Sequence, residues 1–146
     1  MRIVICQDTK RLFSEKAFSV YKDCMYKPTF EKYRNIMGEL VSDAIVRIFL
    51  CETDDGIVGM LVMKKEADKA EVVGIAVSSN YRHQGIARQM LQHAIAEEAL
   101  QIVFAQTDED AVGFYRKCGF EVVEEDIEYP DGVCVRYNCE LIAKNL

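Results

Sequence analysis

The stretch richest in chemistry is Val72-Val73-Gly74-Ile75-Ala76-Val77-Ser78-Ser79-Asn80-Tyr81-Arg82-His83-Gln84-Gly85-Ile86-Ala87, an apolar strand running through a polar turn into the start of a helix. The first turn of a helix presents backbone N–H groups with no intrahelical acceptor, at the positive end of the dipole. An anion such as a pyrophosphate is stabilised there. Gly85 and Ala87 have small side chains that let a diphosphate approach the backbone, and Arg82 and His83 add cationic or hydrogen-bonding groups. The Gly-Lys-Ser or Gly-Lys-Thr ending of a P-loop is absent, as are the three spaced glycines of a dinucleotide fingerprint. Gly85 by itself is also consistent with a glycine that only relieves crowding at a helix start.

Other reactive side chains are scattered. The six cysteines (6, 24, 51, 118, 134 and 139) form no C-x-x-C pair, and both histidines, His83 and His93, fall on one predicted helix. That spacing suits neither zinc nor a disulfide framework, so the expectation is no metal and reduced cysteines acting mostly as small buried hydrophobes. Histidine suits proton transfer near neutral pH, but the position of His83 inside the turn points to an exposed or phosphate-adjacent role.

The elements that must position these residues are legible from periodicity. A chain of 146 residues, half of them hydrophobic and 29% charged, fits one domain over 1–146. Ile3-Val4-Ile5 starts a strand, and Phe13, Ala17, Val20, Tyr21 and Cys24 recur at helical intervals. After Pro28, residues Phe30 to Ala44 repeat that signal, with Thr29 as N-cap. Strands at 46–52 and 57–64 flank Asp54-Asp55-Gly56, a hairpin turn. A strand from Ala70 to Val77 leads to a helix at 84–99. Ile102 to Ala105 reads as a strand buried on both faces. A helix at 109–118 and strands at 119–125 and 132–141 complete the order β-α-α-β-β-β-α-β-α-β-β. This predicts an α/β fold: a mostly antiparallel mixed sheet with one parallel β-α-β crossover and helices on both faces.

A net charge of −6 without a basic stripe argues against nucleic acid and mildly favours a cationic partner such as an amine. No apolar run approaches the roughly 20 residues that span a bilayer, and the N-terminus does not read as a signal peptide, so no membrane partner is expected and the cytoplasm is the default compartment. The apolar final strand could pair with a second copy, as a homodimer, at an open edge.

Arg82-His83-Gln84-Gly85-Ile86-Ala87 resembles the Arg/Gln-x-x-Gly-x-Gly/Ala motif of the GNAT superfamily of N-acetyltransferases, in the same strand-to-helix setting. Downstream, Ala111-Val112-Gly113-Phe114-Tyr115-Arg116-Lys117-Cys118-Gly119-Phe120 resembles that family's Ala-x-x-Phe-Tyr-x-x-x-Gly-Phe segment. The first 60 residues match in architecture only. The resemblance implies acetyl-CoA as co-substrate and a primary amine as acceptor. Its pyrophosphate would sit on the backbone of Arg82, His83, Gln84, Gly85, Ile86 and Ala87, and its pantetheine arm would run beside Ile75, Ala76 and Val77. The family often has Asn where this chain has Asp108, a contact position that when ionised accepts but does not donate.

The implied reaction is direct attack of a neutral amine on the thioester in a ternary complex, helped by orientation and by a backbone oxyanion donor. Tyr115 matches the tyrosine that in relatives hydrogen-bonds the departing sulfur. Glu71, 11 residues before Arg82, matches the general-base glutamate of the histone-acetylating branch, and strand alternation groups it with Val73 and Ile75. Other relatives use a water chain instead. Tyr21, Tyr26, Tyr33, Glu128 and Tyr129 are candidate acceptor walls. Polyamines, small or antibiotic amines, protein N-termini and lysines all fit as acceptors. The alternative is a catalytically silent acyl-CoA-binding sensor or scaffold.

Overall fold

The computed structural model describes residues 1–145. Its elements are β1 (Arg2–Ile5), α1 (Glu15–Tyr21), α2 (Phe30–Val41), β2 (Val46–Thr53), β3 (Gly56–Glu66), β4 (Lys69–Val77), α3 (Ile86–Glu97), β5 (Ile102–Thr107), α4 (Val112–Lys117), β6 (Glu121–Tyr129) and β7 (Gly132–Ile142). The order is the one expected. Thr29 caps α2, its hydroxyl accepting from the Lys32 N–H at 3.1 Å. The expected first helix is broken, because Ser14 is extended and caps α1 through the Ala17 N–H. Single 3₁₀ turns, Thr9–Phe13 and Lys22–Cys24, flank that helix. Gly56, at φ +91°, closes the β2–β3 hairpin in the left-handed region that glycine tolerates.

One seven-stranded sheet runs β1-β2-β3-β4-β5-β7-β6, and β4–β5 is its one parallel pair among the described residues. Two cores flank it. Under α3 and α4 lie Phe49, Met90, Leu91, Val103, Tyr115 and Leu141. Under α1 and α2 lie Leu12, Tyr33, Met37, Leu50, Met60 and Val62. This second core takes buried strand residues from β2, β3 and β4 but none from β5, β6 or β7.

That uneven cover corrects two expectations. β5 is buried on one face only: Val103 and Ala105 are covered, whereas Phe104 is 39% exposed. The last strand is not an outer strand of the sheet either, although residues 132–136 have no partner on the β5 side among the described residues. β7 sits between β5 and β6, paired with β5 over residues 137–142 and with β6 over residues 132–140, and the sheet ends at β1 and β6.

Candidate active site

The site begins where a ladder stops. β4 and β5 pair only at Lys69–Ile102, Ala70–Val103 and Glu71–Phe104, and then they separate. The gap is a cleft of about 900 Å³ whose floor is Val72 to Val77 and whose far wall is Gln106, Thr107 and Asp108. It opens onto the N-terminus of α3, where Arg82, His83, Gly85, Ile86 and Ala87 line it. Gln84 is exposed and is not among the lining residues.

His83 (φ +62°) and Gly85 (φ +77°) are both left-handed. A Cβ at Gly85 would meet only the Gln89 side-chain nitrogen, at 4.0 Å. The backbone conformation therefore calls for glycine there, and the crowding explanation falls away. The Tyr81 hydroxyl anchors the turn to the β2–β3 hairpin, donating to the Asp55 carboxylate and accepting from Thr53.

β4 also departs from simple alternation. Val62 pairs with Gly74 but Met63 pairs with Val72, so Val73 is the extra residue of a β-bulge. Ala70 and Val72 face the α3 core, whereas beyond the bulge Ile75 and Val77 face it and Ala76 faces the α1 core. Glu71 is therefore not on the face of Ile75, contrary to the alternation reading. It is half-buried at the fork, the last β4 residue paired with β5, and it is not among the residues lining the cleft.

Two cleft-edge carbonyls of β4 are already occupied. The Cys24 thiol donates to the Ile75 carbonyl at 3.4 Å, and Arg82 Nε donates to that of Val77 at 2.9 Å. In a strand the N–H and C=O of one residue point to the same edge, so the Ile75 and Val77 N–H groups also face the cleft. Ala76, which alternates with them, turns its backbone toward β3. The Arg82 guanidinium pairs with Asp23 across the cleft mouth. Cys24 and Asp23 were not foreseen as site residues, since the sequence showed Cys24 only as one step of a helical apolar repeat.

Tyr115, on α4, is 7% exposed and lines the cleft, held edge-to-face between Phe114 and Phe120 with both centroids at 5.1 Å. Burial pushes its phenol well above the ordinary range. Asp108 Oδ1 accepts the Ala111 N–H at 3.1 Å, an acceptor role that Asn could equally fill.

The expected acceptor walls do not form one set. Tyr33 is fully buried and donates to the Leu12 carbonyl at 2.5 Å, and Tyr21 is buried beneath Gly74. Tyr26, Glu128 and Tyr129 are exposed.

Charge around the cleft opposes that of the chain. Arg82, Arg88, Lys117 and Arg136 line it against Asp23 and Asp108. Among the described residues no cluster of three or more His, Cys, Asp or Glu side chains could hold a metal, and no helix is long and apolar enough to cross a membrane.

The signature of the acetyltransferase (GNAT) domain matches residues 44–122, more than half of the chain. The chain belongs to the GNAT acetyltransferase family. Solved structures share the fold. The ribosomal-protein-S18-alanine N-acetyltransferase of Escherichia coli matches at a TM-score of 0.72 and 17% identity, over 97% of this chain and 93% of that one. A Bacillus subtilis acetyltransferase in complex with CoA matches at 0.67 and 19% identity, over 97% of each. A spermidine N-acetyltransferase chimera from Vibrio cholerae and hSSAT matches at 0.69 and 14% identity, over 99% and 98%.

Proposed function

We propose that this chain, acting as one catalytic unit over 1–146, transfers the acetyl group of acetyl-CoA to a primary amine by direct attack in a ternary complex. The observation that supports this best is the fork between β4 and β5 opening onto the start of α3. The cleft fits acetyl-CoA in size and in charge, with cationic side chains at the helix end and free backbone donors along β4. Residues 82–87 would hold the pyrophosphate, and the Ile75 and Val77 N–H groups would hold carbonyl oxygens of the acyl-pantetheine arm.

Each residue then has a definite task. A backbone N–H of β4 stabilises the oxyanion as the amine attacks. The Tyr115 hydroxyl donates to the sulfur as the C–S bond breaks. An alkyl thiol ionises near pH 8.5, so a phenol raised above its ordinary value of about 10 donates a hydrogen bond rather than surrendering its proton. Glu71, at the fork, accepts the amine's proton through water, because its place outside the cleft lining leaves no direct contact.

The acceptor is a cationic amine, drawn to a chain of net charge −6. The names of the relatives point the same way, one to an alanine of a ribosomal protein and one to spermidine. Calorimetric titration with acetyl-CoA, followed by a thiol-release screen over a panel of amines, tests the proposal. Binding with amine-dependent CoA release is the expected result. Absence of binding overturns it, and binding without release across polyamines, small amines and peptides favours a sensor.

A further inference from the structure

We propose that Cys24 is a specificity-determining residue that limits the acyl group to two carbons, an inference that rests on the acetyltransferase reading above. With the phosphates at the α3 end, the acyl end of the donor points along β4 toward the fork, where pairing at Glu71–Phe104 closes the cleft. On the way it passes Ile75, beside which Cys24 lines the cleft.

The turn Lys22–Cys24 places the Cys24 thiol in the cleft, 3.4 Å from the Ile75 carbonyl. The Tyr21 hydroxyl lies over Gly74, so close that even a Cβ there would be 2.2 Å from it. Tyr115 lines the same cleft from α4. An acyl chain that grows beyond acetyl beside Ile75 meets the thiol, which lines the cleft, whereas Tyr21 is packed in the α1 core and is not among the lining residues. Cys24 is exposed in the open cleft, and partial desolvation of its thiol raises its pKa, so it stays protonated and keeps its bond to Ile75 at neutral pH. The same protonation makes it a poor nucleophile, which sets it apart from a covalent relay.

The test reads binding and needs no acceptor. Wild type, Cys24→Ala and Cys24→Ser are titrated calorimetrically with CoA, acetyl-CoA, propionyl-CoA and butyryl-CoA. Wild type should prefer acetyl-CoA. In Cys24→Ala the affinity for propionyl-CoA relative to acetyl-CoA should rise about tenfold, the scale of one methylene in a pocket. Cys24→Ser, with a hydroxyl in place of the thiol, should keep the wild-type order, and CoA itself should bind all three proteins alike. An unchanged acyl preference in Cys24→Ala overturns the inference, and so does an equal loss for all four ligands, which would mark a merely structural cysteine. If wild type binds none of the four, the acetyltransferase reading itself has failed, a result distinct from either.

Discussion

A buried phenol loses acidity but not its ability to donate a hydrogen bond, and that distinction decides what Tyr115 can do. Phe114 and Phe120 hold its ring edge-to-face, and burial raises its pKa, so the hydroxyl remains protonated wherever the protein works. Tyr115→Phe keeps the packing and removes only the donor. It should lower kcat roughly a hundredfold, the cost of one preorganised donor, while acetyl-CoA affinity stays within about twofold. The sign of the pKa shift adds a pH test: a raised value moves deprotonation to higher pH, so Tyr115 should cause no fall in kcat between about pH 7 and about pH 10. A fall in that range that disappears in Tyr115→Phe would refute this role. Gly85 poses a backbone question at the same scale. At φ +77°, a β-branched residue pays about 1–2 kcal/mol for the left-handed conformation. Gly85→Val should therefore lower the thermal midpoint and weaken acetyl-CoA binding at least about tenfold. Unchanged affinity would remove the pyrophosphate from this turn.

At the level of elements, the closest fit in the site is α1 against β4. Gly74 has no side chain because Tyr21 occupies that space, with Oη 2.2 Å and Cζ 2.7 Å from where a Cβ would stand. Gly74→Ala must displace the ring, a cost of about 1–3 kcal/mol by overpacking. Adding Tyr21→Phe removes the hydroxyl but not Cζ, so it should restore only part of the loss in denaturant unfolding. Full restoration would mean the hydroxyl alone is in the way, and no loss in Gly74→Ala would mean α1 shifts freely. This contact also shows where sequence reading stops. Helical periodicity and the Thr29 cap located α2 well, and Asp55-Gly56 located the hairpin, because those signals are local. Nothing in Val72-Val73 marks which valine is bulged, since both are apolar and register is set by the partner strand. Simple alternation therefore puts Glu71 on the wrong face. Cys24 is missed for a similar reason: its helical spacing says core, and only the chain's return across β4 puts its thiol on Ile75.

Over the whole molecule, charge is sorted in a way that composition conceals. The chain carries 24 acidic and 18 basic residues, yet four of those basic residues line one cleft against two carboxylates. Arg82 is partly neutralised by Asp23, which leaves Arg88, Lys117 and Arg136 as the main source of positive potential there. A polyanionic donor approaching a net-negative protein is drawn to such a patch, and the attraction is screened by salt over a Debye length of about 10 Å at 0.1 M. Acetyl-CoA affinity should therefore fall roughly tenfold as ionic strength rises from about 0.05 M to about 0.5 M. Arg88→Gln and Lys117→Gln should each flatten that dependence without changing fold stability by more than about 0.5 kcal/mol, since both side chains are at the surface. Dephospho-CoA, with one phosphate fewer, should show a shallower slope than CoA on the wild type. Calorimetry at three salt concentrations measures all of these slopes. If binding is insensitive to salt, or if the two variants keep the wild-type slope, the basic lining does not hold the phosphates and the backbone amides of residues 82–87 must bind them unaided.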